Sequence, residues 1–291
     1  MAFFDYRPTT TLYHYCSGGS FEGITTNGSI WLSDLQYAND PKELQLAAII
    51  DRVMTEMIRD ATSFRDREAY ARLKVELQKL KNRLWMHSFS VSTKPDQLPM
   101  WQEYTDRGRG FCIGFKPSAF DDMSVRVQKV RYVTPENLSA LHSAIAVIAA
   151  PLVGHVNDHF KRIDCTTQLL SLITATKDHS WAHENEIRLI FSSMTRPSID
   201  GRVNVPVGML KDGTEIMPSD PLMRRRGEVD VPYFNMKFGR YRRGNWNPYG
   251  AIAEVIVGPN SSLTLDEVSA NLRSKGYLGV AVRSSQCSFR P

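Results

Sequence analysis

Ionisable side chains are concentrated in the stretch KDHSWAHENEIRLIF, which covers residues 177–191. If its second half is an extended strand, Glu184, Glu186 and Arg188 share one face and the apolar side chains share the other. Two carboxylates on one face raise each other's pKa, whereas Arg188 opposes that rise, so one carboxylate can be held poised or firmly ionised. The alternative is an exposed strand edge with a local salt bridge.

His14 is the second candidate, because it lies between Tyr13 and Tyr15 in the motif LYHYC. It is either a core residue bonded to a neighbouring carbonyl or the first member of a binding site. Cys16 follows two residues later and would lie on the same strand face, which makes a thiol nucleophile conceivable. Neither Cys16 nor Cys112, which lies in the apolar GFCIGF, has an evident third group, and no G-x-S-x-G elbow exists for a serine nucleophile.

Two histidine pairs have the spacing of metal ligands. His155 and His159 are four apart in a predicted helix, and His179 and His183 are four apart near a turn. No H-E-x-x-H motif accompanies them, and no third ligand is evident. A structural or surface role for these histidines is the alternative, and we predict no metal site.

The composition is that of a globular protein, since 42% of the 291 residues are hydrophobic and 23% are charged. The four cysteines never form a C-x-x-C pair, so neither a zinc site nor a disulfide framework is indicated, and a reducing cytoplasm is expected. No apolar run reaches the about 18 residues that a spanning helix needs, so neither a signal peptide nor a membrane anchor is expected.

The basic residues are unevenly placed, although the net charge is only +5. Residues 223–249 combine many arginines with many aromatic side chains, a pattern that suits phosphates and stacked bases. The alternative is a solvated loop and hairpin.

Hydrophobic periodicity predicts a single domain, residues 1–291, of mixed α+β class with a mainly antiparallel sheet. Residues 11–15 and 29–33 are predicted strands that flank one or two helical turns in SFEGITTNG. A helical hairpin is predicted over 42–84 and a helical region over 135–177. Asp40, Pro41 and Glu43 of NDPKE suit a helix N-terminus, although a functional part for this motif stays open.

Six motifs in chain order together resemble a large bacterial family described only as a domain of unknown function. They are LYHYCS, IWLSDLQYANDPKE, HSFSVSTKPDQLPMWQEYTDRGRGFCIGF, WAHENEIRLIF, IAEVIVGPN and VAVRSSQCSFR. The resemblance covers the chain from residue 12 to near its end.

A looser resemblance is to ADP-ribosyltransferases that modify DNA or RNA and to tRNA 2′-phosphotransferases. An opening strand with L-Y-H, a helix and a strand ending in serine carry it. It implies a split antiparallel sheet, here with an inserted helical hairpin, and NAD bound as substrate. It further implies that His14 holds the nucleotide ribose and that Glu186 stabilises the oxocarbenium-like centre.

The same resemblance implies further NAD-binding residues. Ser33 or Trp31 matches the second-strand position, and Glu184 completes an E-x-E pattern with Arg188 beside it. A flat nicotinamide ring needs an aromatic wall. The side chains available for that wall are Tyr13, Tyr15, Trp101 and Tyr104.

Three functional hypotheses follow. The first is an ADP-ribosyltransferase-like toxin or phage-defence effector that modifies nucleic acid or protein. The second is a non-catalytic nucleic-acid-binding protein that uses residues 223–249. The third is a metal-dependent nuclease or hydrolase centred on the histidine and glutamate cluster.

Overall fold

A computed structural model describes residues 6–37, 43–81, 85–134, 138–193, 208–209, 215–216, 222–242 and 245–290. The helices are α1 (Gly18–Asn27), α2 (Glu43–Asp60), α3 (Phe64–Lys81), α4 (Leu98–Tyr104), α5 (Ser139–Ala149), α6 (His159–Thr174) and α7 (Leu265–Ser274). The strands are β1 (Leu12–Cys16), β2 (Ser29–Asp34), β3 (Trp85–Ser92), β4 (Phe111–Phe115), β5 (Arg126–Lys129), β6 (Arg131–Val133), β7 (Thr176–Asp178), β8 (Glu186–Ser193), β9 (Gly208–Met209), β10 (Glu215–Ile216), β11 (Leu222–Arg226), β12 (Val229–Lys237), β13 (Arg240–Arg242), β14 (Asn245–Asn247), β15 (Ile252–Val257) and β16 (Ala281–Ser284).

The main sheet forks at β3. Within the described residues it has ten strands, most of them antiparallel. β8 pairs with β3 from Trp85 to Ser92 and so occupies one edge of β3 along its whole length. β2 pairs with the beginning of β3 and β1 pairs with Ser92 at its end, so both strands share the other edge. The sheet therefore divides into a β1–β4–β15–β16 arm and a β2–β12–β11 arm.

Alternation along the strands builds the first hydrophobic core. On β2, Ile30 and Leu32 are fully buried, whereas Trp31 on the opposite face is 43% exposed. On β8, Ile187 and Leu189 belong to the same core. The apolar face predicted for this segment is thus confirmed. Glu186 and Arg188 lie on the opposite face of the strand.

A second core lies among the helices. Side chains from α2, α3, α5 and α6 form it, including Ile50, Leu73, Ile145 and Leu169, all fully buried. The hairpin predicted over 42–84 appears as α2 and α3. Its helices pack against α5 and α6, which lie in the region predicted to be helical over 135–177. That region is not helical to its end, because β7 pairs with β6 at residues 176–178.

Other predictions differ in extent. The predicted strands at 11–15 and 29–33 are β1 and β2 within one residue. The one or two turns predicted between them form a ten-residue helix, because Ser17 caps α1 by accepting from the backbone N–H of Ser20. The cap predicted at Asp40 lies outside the described residues.

The predicted α+β class with a mainly antiparallel sheet is confirmed. Among the helices of the described ranges, none combines the length and apolar character that a membrane crossing requires.

Candidate active site

A cleft of about 520 Å³ opens where β1 and β2 separate. Its floor comes from β3 and the start of β8, one wall comes from α1, and its rim at the β2 arm includes β11. The lining brings together most of the site residues predicted from the sequence: Tyr13, His14, Tyr15, Trp31, Ser33, Tyr104, Glu184, Glu186 and Arg188.

Ser90 of β3 links the two predicted catalytic residues. Its carbonyl lies 2.9 Å from Nδ1 of His14. Its hydroxyl donates a hydrogen bond of 2.5 Å to Oε1 of Glu186. Ser90 lies between the points at which β2 and β1 pair with β3, so these contacts form at the fork itself.

His14 is held as a neutral ring. Burial against protein lowers its pKa to about 4, although the hydrogen bond to the Ser90 carbonyl opposes that shift. A carbonyl oxygen only accepts hydrogen bonds, so Nδ1 carries the proton and Nε2 is an acceptor. The ring also contacts Phe89, with 4.2 Å between ring centroids. His14 is therefore both a packing residue and an oriented hydrogen-bond acceptor.

Two carboxylates and two cations form a buried network beneath the cleft. Arg188 donates from Nε to Oε1 of Glu186 at 2.8 Å and from Nη2 to Oε2 at 3.0 Å. Lys177 Nζ lies 2.7 Å from Oε2 of Glu184 and 3.5 Å from Oε2 of Glu186. Tyr104 donates its hydroxyl to Glu184. All four charged residues are at most 4% exposed.

The charges in this network balance, which explains how they tolerate burial. Burial alone would raise the pKa of Glu186, but Arg188 and Lys177 outweigh it and lower that pKa to about 2. Burial and the neighbouring Glu186 raise the pKa of Glu184. Burial opposes the charge on Lys177, yet Glu186 and Glu184 raise its pKa. Glu186 is thus the firmly ionised member of the pair.

The strand-face argument was correct for Glu186 and Arg188 and wrong for Glu184. β8 begins only at Glu186, and Glu184 ends a 3-10 helix, residues 179–184. Asn185 between them adopts a left-handed conformation with φ of 47°, which turns the chain into the strand. Glu184 reaches the network through this turn and through Lys177, not through strand alternation.

The aromatic residues predicted for a stacking wall occupy different places. Tyr13 donates to Glu254 and Tyr15 accepts from the backbone N–H of Gln97, while both line the cleft. Trp101 is fully buried and lies outside the lining, because its indole N–H donates to Asp96 and its ring packs edge-on against Tyr15.

The rim on the β2 arm is cationic. Arg224 of β11 donates from Nη2 to Ser33 at 2.9 Å and lies 5.9 Å from the centre of the Trp31 ring. Arg226, two residues along the same strand, donates to the backbone carbonyl of Tyr37. Burial and the neighbouring Arg226 lower the pKa of Arg224.

The basic stretch over 223–249 does not form one surface. Arg240 pairs with Asp121, and Lys237 lies 4.4 Å from the ring of Trp246, away from the cleft. Trp246 itself donates to the carbonyl of Phe238. Within the described part of this stretch, Arg224 and Arg226 are the arginines that line the cleft.

The remaining nucleophile and metal candidates fall elsewhere. Cys16 is buried, and burial raises its pKa, so its thiol stays protonated. His155 and His159 do not share a helix, because α6 begins at His159. The described ranges contain no group of three or more His, Cys, Asp or Glu side chains placed to hold a metal ion.

Sequence reasoning missed several side chains of the site. Lys177 lies in the same ionisable stretch as the glutamates, and that proximity was a usable signal. Ser90 carried no signal, because its role depends on the pairing of β3 with β8. Asp34 was also missed. It is 2% exposed, lines the cleft and has an Oδ2 atom without a partner among the described residues.

Residues 100–189 match a family described as "Protein of unknown function (DUF2971)", so a domain of this family is found there. The match runs from α4 to β8, covers just under one third of the 291 residues and contains the whole buried charge network. His14, Trp31 and Arg224 lie outside it. No curated protein and no solved structure matches the chain.

Proposed function

We propose that this protein is an ADP-ribosyltransferase-like enzyme that uses NAD as its substrate and transfers ADP-ribose to nucleic acid or protein. The observation that carries the proposal is the contact of His14 and Glu186 with the same residue, Ser90, in one cleft. The forked sheet supports it as well, because a split antiparallel sheet is what the family resemblance implies.

The chemistry assigns a task to each side chain. The bond between the ribose anomeric carbon and nicotinamide breaks, and its electron pair leaves with the nicotinamide nitrogen. Positive charge then develops on the ribose, where the preorganised carboxylate of Glu186 stabilises it. His14 accepts a hydrogen bond from a ribose hydroxyl at Nε2. The acceptor nucleophile forms the new bond to the anomeric carbon and releases its proton.

The buried charge network keeps Glu186 ready for this task. Arg188 and Lys177 hold its pKa near 2, so the carboxylate is ionised at neutral pH. Its oxygens are fixed by Arg188 and Ser90, so little reorganisation is needed as charge develops. Tyr13 and Tyr104 supply aromatic surface for the nicotinamide at the same floor.

The test measures nicotinamide release and the transfer of labelled ADP-ribose from NAD to nucleic acid and to protein. Glu186→Gln and His14→Ala should each lower the transfer rate, Glu186→Gln by about 100-fold or more. Glu56→Gln is the matched control, because Glu56 lies on α2 and pairs with Arg52. It should retain wild-type rates.

Glu186→Gln also removes one member of the buried network, so its thermal unfolding must be compared with that of wild type. A folded Glu186→Gln variant with wild-type turnover would falsify the proposal. Wild-type protein that releases no nicotinamide with either class of acceptor would do the same.

A non-catalytic nucleic-acid-binding protein is the second candidate, and the arginines of the cleft rim favour it. In that case nucleic-acid binding falls with salt and is unaffected by Glu186→Gln, and NAD is not consumed.

A further inference from the structure

Two ends of the cleft differ in charge. At the floor, Lys177 and Arg188 are matched by Glu184 and Glu186. At the rim, Arg224 and Arg226 both line the cleft, and Arg226 contributes to lowering the pKa of Arg224. The rim therefore places two guanidinium groups of like charge in the cleft lining, separate from the floor network.

Arg224 has donor capacity left for a ligand. Its Nη2 donates to Ser33, but its buried Nε has no hydrogen-bond partner among the described residues. A buried guanidinium nitrogen without an acceptor is costly, and an anion in the cleft would remove that cost. Arg225 differs, because it donates to the carbonyl of Gly227, lies 3.4 Å from Asp230 and does not line the cleft.

Trp31 lies beside Arg224, whose guanidinium is 5.9 Å from the centre of its ring. It is 43% exposed and lines the cleft, while its other contact is with Tyr233 at 4.5 Å between ring centroids. An exposed indole beside arginines suits a base that stacks while its phosphate is bound by the guanidinium groups.

Asp34 supplies an acceptor near the same end of the cleft. Its Oδ1 accepts from the backbone N–H of Gln36, whereas Oδ2 has no partner within the described ranges. Side chains this buried normally have partners for both oxygens. An amino or hydroxyl group of a nucleotide can donate to Oδ2.

The geometry points to a subsite at this rim for single-stranded nucleic acid, with Arg224 and Arg226 on a phosphate and Trp31 under a base. This inference deepens the proposed function by naming the acceptor class, and it rests on that function for the reaction. A single strand is required because a base within a duplex is already stacked and cannot lie on Trp31.

The experiment measures binding without NAD. Fluorescence anisotropy follows labelled single-stranded DNA and RNA oligonucleotides across a salt series. Wild type is compared with Arg224→Gln, Arg226→Gln and Trp31→Ala, and Arg225→Gln is the matched control on the same strand. The KM for NAD is determined in parallel from nicotinamide release.

Arg224→Gln and Arg226→Gln should each weaken binding and reduce the salt slope by about one. Trp31→Ala should weaken binding by about tenfold with little change in the slope. Arg225→Gln should bind as wild type does.

Three results would overturn the inference. The first is that the wild-type protein binds no oligonucleotide. The second is that Arg225→Gln loses as much oligonucleotide affinity as Arg224→Gln does. The third is that Arg224→Gln raises the KM for NAD while its oligonucleotide affinity is unchanged. The last result assigns the rim to NAD. Because oligonucleotide binding is measured without turnover, the first two outcomes remain readable if the transferase proposal alone fails.

Discussion

The floor and the rim of the cleft differ in the groups that surround their buried arginines. At the floor, Glu186 has both oxygens bonded to Arg188, and each carboxylate also has Lys177 nearby. At the rim, Arg224 is held by one bond to Ser33 and is close to a second arginine. The floor cations are paired with carboxylates, whereas Nε of Arg224 at the rim has no hydrogen-bond partner among the described residues and could gain one from an anion. Removing one partner from the paired network is costly because it leaves a buried charge unpaired, whereas an unpaired buried donor favours a ligand that can accept from it.

Arg188→Met tests this contrast most strongly. It leaves two buried carboxylates with only Lys177 between them, so we expect the free energy of unfolding to fall by about 3–5 kcal/mol. Arg224→Met should change it by about 1 kcal/mol or less, because the bond lost to Ser33 is partly offset by relief of repulsion from Arg226. Urea unfolding measures both variants. Equal losses at the two positions would contradict the contrast.

His14 should make stability depend on pH. Its pKa is lowered from 6.5 to about 4 in the folded protein, so the unfolded chain binds the proton first as the pH falls. The stabilisation from neutral His14 is fully present above pH 6.5 and is lost progressively toward pH 4. The free energy of unfolding is measured with urea between pH 7 and about 5. Its slope against pH should be smaller in His14→Gln than in wild type.

The control for this measurement is His155→Gln, since His155 is exposed and lies outside the cleft. It should retain the wild-type slope. An unchanged slope in His14→Gln would show that the ring is protonated equally in both states.

Gly23 gives the smallest expected effect on stability. It lies within α1, lines the cleft, and a Cβ placed on it would meet nothing within 4 Å. Gly23→Ala should therefore raise the free energy of unfolding by up to about 1 kcal/mol through helix propensity. Gly23→Leu should be as stable as wild type or more so but should obstruct the cleft and weaken ligand binding. Both are measured by urea unfolding and by anisotropy, and a destabilised Gly23→Leu would show that the space is not open.

Much of the secondary structure was predictable because its signals are local. Alternation along β8 identified the buried face of Ile187 and Leu189, and the period of three and four residues identified α2 and α3. Glu184 was misplaced for the same reason. Strand alternation was extended two residues too far, across the left-handed Asn185.

The proposed partnership of His14 with Glu186 came from a family resemblance, whereas spacing alone indicated Glu186 and Arg188 as candidates. The structure brings His14 and Glu186 to Ser90, but it leaves Trp101 outside the cleft, bonded to Asp96. It also divides the basic stretch, since Arg224 faces the cleft while Arg240 pairs with Asp121. Composition could not separate these arginines, because each one's partner depends on a distant strand or turn.

By itself the sequence determined the α+β class, the apolar faces of the strands and the helical segments, since hydrophobic periodicity depends on neighbouring residues along the chain. Only the tertiary structure decided that β1 and β2 share one edge of β3. Edge sharing depends on pairings between residues as far apart as Tyr13 and Ser92, which no local pattern encodes. That fork creates the cleft, places Ser90 between His14 and Glu186, and leaves Arg224 at the rim.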